Sequence, residues 1–122
     1  MKKNILVIDD DALARKMIVT ALEEEGYAAV ASLNFENALE KARRTLPDLV
    51  LIDVVMPDIS GFNACREIKK VVQPHPPPVI VMTGKLDAVD PVLARKMGAD
   101  DFVVKTSDMA VLICAVRKIL LP

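Results

Sequence analysis

Short apolar runs alternate along the chain with longer segments in which apolar residues recur every three or four positions. The apolar runs predict five strands, over residues 5–8, 27–31, 49–52, 79–82 and 102–104. Three or four consecutive apolar residues indicate burial on both faces, as in parallel strands between two layers of helices. The alternation therefore predicts an α/β fold with a parallel sheet and five helices.

The helical segments carry apolar stripes and recognisable end signals. We expect the first helix over residues 12–25 before Gly26, the second after Asn34, the third from Ser60, the fourth after Asp90 and the fifth over residues 108–120. The residues expected to face inward are Leu13, Met17, Ala21 and Leu22 on the first helix, Phe35, Ala38, Leu39, Ala42 and Leu46 on the second, and Phe62, Cys65, Ile68 and Val72 on the third.

The size and charge of the chain narrow the class of protein. A chain of 122 residues with 52% hydrophobic content suits one domain with one core, and we expect that domain to span residues 1–122. The 16 basic residues nearly balance the 17 acidic ones, so the sequence gives no sign of direct nucleic-acid binding. The apolar runs are too short for a signal peptide or a membrane span, and Cys65 and Cys114 lack a CxxC spacing. We expect a cytoplasmic protein with reduced thiols.

Polar residues follow four of the predicted strands at the point where each strand ends. Asp9 and Asp10 follow the first strand, Asp53 the third, Thr83 the fourth and Lys105 the fifth. Ligands of open α/β sheets bind at the carboxyl ends of the strands, so these side chains form one candidate site. Any one of these aspartates could instead cap a helix, as we expect of Asp11, but capping does not explain the whole set.

Three carboxylates at one edge of a sheet favour a bound cation. Two of them 4 Å apart repel by about 4 kcal/mol at an effective dielectric near 20. Carboxylate oxygens with room for water and phosphate oxygens suit Mg2+, whereas the His and Cys ligands that zinc prefers do not accompany them. The sequence therefore predicts a magnesium site.

Four segments carry a resemblance to a known family: ILVIDDD at residues 5–11, LIDVVMPDISG at 51–61, VMTG at 81–84 and GADDFVVK at 98–105. Over its whole length the chain resembles the receiver domain of the two-component response regulators. The resemblance implies a flavodoxin-like, doubly wound five-stranded parallel sheet of order 2-1-3-4-5. It also implies a phosphorelay switch domain that promotes only its own phosphorylation and dephosphorylation.

The resemblance assigns a role to each residue of the candidate site. It implies that Asp53 accepts the phosphoryl group from a histidine kinase or phosphotransfer protein. Asp9, Asp10, Asp53 and the backbone carbonyl of Val55 would hold Mg2+, and Thr83 and Lys105 would bind phosphoryl oxygens. These roles agree with the chemistry of phosphoryl transfer, which needs a carboxylate nucleophile and positive charge around the transferring group.

Four positions bear on the family's switch or on the lifetime of its phosphoryl group. Phe102 stands where the resemblance implies an aromatic residue that moves when Thr83 is drawn toward the phosphoryl group, although a plain core role for Phe102 remains open. Thr106 stands where the family usually has proline, so we expect a trans Lys105–Thr106 bond in place of the family's cis bond. Val55 and Lys85 flank the phosphoryl group in the resemblance and would tune its lifetime.

Two other functions remain open from the sequence. An aspartate-nucleophile phosphatase of the haloacid dehalogenase type would use Asp9 and Asp11, but such an enzyme expects Thr or Val where the chain has Leu13. A receiver-shaped interaction module that no longer takes phosphate is the other alternative.

The fifth predicted helix is too apolar to bury all its faces. With Leu112, Val116 and Ile119 facing the sheet, Val111 and either Ile113 or Cys114 should lie outside. We expect an output domain, a protein partner or a second copy of the chain to bind at the face formed by the fourth helix, fifth strand and fifth helix. Coverage by neighbouring loops or downstream residues is the alternative.

Overall fold

A computed structural model describes residues 2–54, 56, 59, 61–84, 91–96, 98–105 and 108–121. In this part of the chain five strands form one parallel sheet in the order 2-1-3-4-5. The strands are β1 (Asn4–Ile8), β2 (Ala28–Ser32), β3 (Leu49–Asp53), β4 (Val79–Thr83) and β5 (Asp101–Val104). The predicted α/β fold and strand order are confirmed.

Five helices connect these strands in the described chain. They are α1 (Ala12–Glu24), α2 (Phe35–Thr45), α3 (Gly61–Val71), α4 (Pro91–Lys96) and α5 (Ala110–Leu120). Each lies within the segment where the apolar stripe predicted a helix. Among the described residues, none of these helices is long and apolar enough to cross a membrane.

The sheet separates two layers of buried side chains. The central strands β1, β3 and β4 are buried at nearly every position, as expected of strands covered on both faces. Alternate residues of β1 point to opposite layers: Leu6 and Ile8 pack with α2 and α3, and Ile5 and Val7 pack with α1 and α5. This double cover fixes the register of the strands and hence the positions of their ends.

The helix ends follow the predicted signals where the structure describes them. The Asp11 carboxylate accepts hydrogen bonds from the backbone N–H groups of Leu13 and Ala14, and the Asn34 side chain accepts one from Asn37. Gly26 has a φ of +96°, the left-handed conformation that ends α1 after Glu25. The predicted caps Ser60 and Asp90 lie outside the described residues.

Two residues expected to face the core are exposed instead. Leu13 is 67% exposed because the stripe that faces the sheet runs through Ile18 and Leu22, and Leu13 lies about 140° around the helix from Ile18. Leu46 is 61% exposed because it ends α2 in the left-handed conformation, with a φ of 46°, and so leaves the helical stripe. Helical periodicity does not resolve such end effects.

The fifth helix also differs from expectation. It begins at Ala110, two residues after the predicted start, and Asp108 Oδ1 accepts a hydrogen bond from the Ala110 N–H. The expectation that Val111 and either Ile113 or Cys114 lie outside is met by Val111 and Cys114, which are exposed, and Ile113 is buried. Ile113 is covered because α5 borders α1 as well as β5, with Arg117 of α5 paired to Glu25 at the end of α1.

Candidate functional site

The sheet topology brings the predicted site residues to one edge. The strand order reverses between β1 and β3, and Ile8 pairs with Ile52, so Asp9 and Asp53 occupy equivalent positions on adjacent strands. On the other side of β3, Asp53 pairs with Met82, the residue before Thr83. Beyond β5, Lys105 N–H donates to the Thr83 carbonyl at 2.6 Å, which extends the sheet ladder to the lysine. This reversal point is where open α/β sheets bind ligands.

Three carboxylates form a compact acidic cluster at this edge. Oxygens of Asp9, Asp10 and Asp53 all lie within 4.8 Å of one another. Asp9 and Asp53 are buried, whereas Asp10 is exposed. Such a group of charges is unfavourable without a positive partner, because each pair at this distance repels by a few kcal/mol.

Lys105 supplies part of that positive charge. Its ammonium lies 2.8 Å from Asp9 Oδ2 and 2.9 Å from Asp53 Oδ2, so it bridges the ends of β1 and β3. Partial burial lowers the pKa of Lys105, but hydrogen bonds and negative charge from Asp9 and Asp53 outweigh burial and raise the pKa above its usual value. Lys105 therefore remains charged throughout the physiological range.

Asp9 is held at every polar atom. Its backbone N–H donates to the Ser32 carbonyl at 3.1 Å, and its Oδ1 accepts from the Asp11 N–H at 2.9 Å. Its backbone carbonyl accepts from Arg15 Nη1 at 2.7 Å. The sequence does not identify Arg15 as part of the site, because it shows only a cation near the start of the helix that follows the acidic run.

The two predicted switch residues differ in their surroundings. Thr83 is buried at the end of β4, and Phe102 is partly buried in β5, where it packs against the core layer formed with α2 and α3. Phe102 pairs in the sheet with Val81, two residues before Thr83. The two positions therefore lie on neighbouring strands, with Phe102 opposite the middle of β4 and Thr83 at its carboxyl end.

The donor set of the acidic cluster fits Mg2+. All three side chains offer carboxylate oxygens, which Mg2+ prefers, and the exposed Asp10 leaves one side open to water or to a phosphoryl group. Each oxygen of Asp9 accepts one described hydrogen bond and can accept a further contact, because a carboxylate has about four lone-pair positions. Val55, the predicted carbonyl ligand, lies outside the described residues, as do Lys85 and Thr106.

Comparison with known proteins agrees with this geometry. The response regulator receiver domain family matches residues 5–117. The transcriptional regulatory protein CseB of Streptomyces coelicolor is 36% identical over 117 residues, which cover 96% of this chain and 49% of that protein. The DNA-binding response regulator MtrA of Mycolicibacterium paratuberculosis is 35% identical, over 96% of this chain and 51% of its own length.

A solved structure extends the comparison to the fold. The response regulator TrrA of Thermotoga maritima, in a complex with Mg2+-BeF, superposes with a TM-score of 0.86 at 34% identity, over 97% of this chain and 99% of that one. The chain spans about half the length of the curated relatives it matches. With the strand order, the acidic cluster and the bridging lysine, these matches place the chain in the response regulator receiver domain family.

Proposed function

We propose that Asp53 accepts a phosphoryl group from the phosphohistidine of a histidine kinase or phosphotransfer protein, in a reaction that depends on Mg2+. One observation carries the proposal: Lys105 spans Asp9 and Asp53 inside a cluster of three carboxylates. Three carboxylates and one ammonium lie within a few ångströms of one another, which supports roles for them as nucleophile, divalent-cation ligands and fixed cation. The membership of the receiver family supports the same function.

The residues of the site have distinct roles in this reaction. An oxygen of Asp53 attacks the phosphorus atom in line with the scissile phosphorus–nitrogen bond, and the imidazole of the donor leaves. Lys105, already within hydrogen-bond distance of Asp53, turns its ammonium to an oxygen of the transferred group and offsets its charge. The hydroxyl of Thr83 donates a hydrogen bond to another oxygen of that group.

The carboxylates of Asp9, Asp10 and Asp53 would hold Mg2+. When bound, the ion neutralises the negative charge that would otherwise keep a phosphoryl donor away from the cluster. Asp9 is the most firmly placed of the three, since it is fully buried and held through both carboxylate oxygens. Asp10 stands at the exposed side, where the donor must enter.

Phosphorylation would be transmitted through Thr83 and Phe102. Movement of the Thr83 side chain toward the phosphoryl group opens space beside β5, and Phe102 turns into that space. The receiving surface is the α4–β5–α5 face, where α4 and α5 both contact β5 and the apolar Val92 and Val111 are exposed. An output domain, a protein partner or a second copy of the chain would bind there.

The test compares the intact mass of the parent and of Asp53→Asn after incubation with acetyl phosphate, with Mg2+ or with EDTA. We expect one phosphoryl group on the parent with Mg2+, and none with EDTA or on the folded Asn variant. Equal incorporation by Asp53→Asn would contradict the proposal and favour the phosphatase alternative. No incorporation by the parent under any condition would favour the non-phosphorylated interaction module.

A further inference from the structure

We propose that Arg15 is a positioning residue for the divalent-cation site, which it orders through the backbone carbonyl of Asp9. The inference rests on the proposed function only in requiring that the acidic cluster binds a divalent cation. Arg15 does not touch the cluster's carboxylates in any described contact; its Nη1 donates to the Asp9 carbonyl at 2.7 Å, and the bond is partly buried.

The three carboxylates differ in how they are held. Asp9 is fixed through both carboxylate oxygens, and Asp53 is paired with Lys105. Among the described residues, the Asp10 side chain has no hydrogen-bond or ion-pair partner, and it is exposed. Its place in the cluster therefore depends on the backbone that carries it.

The contact from Arg15 acts on that backbone. The Asp9 carbonyl and the Asp10 N–H belong to one planar peptide group, so fixing the carbonyl direction fixes the direction in which the Asp10 α-carbon leaves. The Asp9 N–H is fixed by Ser32 on the other side. Together the two contacts set the turn between β1 and α1 that presents Asp10.

Arg15 is itself held within the first residues of the capped helix α1. Its own N–H donates to the Asp11 carbonyl at 3.0 Å, and the Asp11 side chain caps the same helix. The guanidinium thus spans the turn from α1 back to β1. A planar guanidinium loses less freedom than a lysine ammonium when it makes such a bond.

Positioning and simple electrostatics predict opposite results when Arg15 is removed. A cation beside three carboxylates repels Mg2+, so loss of its charge alone would tighten binding of the ion. Loss of the carbonyl contact would release the Asp10 backbone and weaken binding. Removal of an outer contact that orients a metal ligand costs on the order of tenfold or more in affinity.

The experiment measures Mn2+ affinity by the electron paramagnetic resonance signal of free Mn2+, with displacement by Mg2+, in the full chain without a phosphoryl donor. The variants are Arg15→Met, Arg15→Lys and Arg15→Gln. Lys16→Met is the matched control, because Lys16 is the exposed neighbouring cation on α1. The melting temperature of each metal-free variant is recorded separately.

We expect Arg15→Met to bind Mn2+ and Mg2+ on the order of tenfold more weakly, Arg15→Lys to recover part of the loss, and Lys16→Met to match the parent. Equal or tighter binding by Arg15→Met overturns the inference, as does a lower melting temperature with unchanged affinity. Should Arg15→Met not fold, Arg15→Gln decides: weaker binding supports positioning and tighter binding refutes it. If the parent binds Mn2+ saturably and Arg15→Met binds it with the same affinity, this inference alone is overturned. If the parent shows no saturable binding, the proposed metal site is overturned as well.

Discussion

At the scale of single residues, Asp9 shows how burial and chemistry are combined in this fold. A fully buried carboxylate is tolerated only with several compensating contacts, and Asp9 has a backbone N–H and an ammonium as donors to its two oxygens. Those same contacts orient it toward Asp53. The buried carboxylate is thus held in a fixed position within the acidic cluster.

The two cysteines differ in burial, and we expect them to differ in reactivity. Cys65 is fully buried, and burial, reinforced by Asp100 and opposed by Lys69, raises its pKa from 9.0 to about 11. Cys114 is exposed on α5. Since the thiolate is the reactive form, we expect iodoacetamide at pH 8 to modify Cys114 rapidly and Cys65 only when the domain opens.

Mass spectrometry of the alkylated protein over time checks this, with Cys114→Ser as the control that isolates Cys65. The raised pKa also makes the free energy of unfolding depend on pH. The neutral Cys65 thiol makes its full contribution to folded-state stability below pH 9, and this contribution is lost as the pH rises toward 11. Equal alkylation rates for both thiols in the folded protein would contradict the packing of α3.

At the scale of secondary structure elements, α5 has one face buried in the core and another that is exposed. Leu112 and Val116 are buried against the sheet, whereas Val111 is 57% exposed. A shallow surface depression beside Val111 is lined by Phe102 and Cys114. Phe102, the proposed switch residue, therefore lines a depression that is open to solvent.

We expect Val111→Glu to leave the free energy of unfolding within about 0.5 kcal/mol of the parent, because the side chain is already exposed. It should weaken self-association or partner binding in the phosphorylated state, since a charge enters an apolar contact. Analytical ultracentrifugation with and without a phosphoryl analogue measures self-association. The control is Leu33→Glu, because Leu33 is an exposed apolar residue after β2.

Identical sedimentation of Val111→Glu, Leu33→Glu and the parent, together with unchanged signalling, would remove the proposed role of this face. Ile113 is not a suitable probe, because it is buried in the core layer formed with α1 and α5. A glutamate there would place a charge in an apolar environment and destabilise the fold itself.

At the scale of the whole molecule, negative charge is concentrated at one end of the sheet. The chain is nearly neutral, with a formal net charge of −1, yet three carboxylates meet at the carboxyl ends of the adjacent strands β1 and β3. Lys105 offsets only part of that charge. The folded domain should therefore be stabilised by an ion that completes the neutralisation.

We predict that Mg2+ raises the melting temperature in a saturable manner. At a concentration one hundred times its dissociation constant, an ion that binds only the folded state contributes about 2.7 kcal/mol. Thermal unfolding followed by circular dichroism across a Mg2+ titration measures this, with Asp10→Asn as the variant of reduced response. A melting temperature independent of Mg2+ would count against the acidic cluster as a metal site.

The sequence predicted the fold, and it predicted that Asp9, Asp53 and Lys105 come together, because both depend on buried strands. The chemical roles of these residues stay predictions. Runs such as residues 49–52 locate strands through burial on both faces, and residues directly after such strands must meet at one edge. The exposure of Leu13 and Leu46 and the burial of Ile113 could not be read from periodicity, because they depend on where helices end and what they touch. The contact of Arg15 could not be predicted from the sequence, because its partner is a backbone carbonyl, which has no sequence signature.

The central claim is that Asp53 carries the phosphoryl group, and the most direct test is to locate the modified residue. After incubation with acetyl phosphate and Mg2+, borohydride reduction converts an aspartyl phosphate to homoserine, which tandem mass spectrometry identifies by position. We predict homoserine at residue 53 and at no other aspartate. Homoserine at residue 9, or an unmodified Asp53 in protein that has taken up phosphate, would contradict the account.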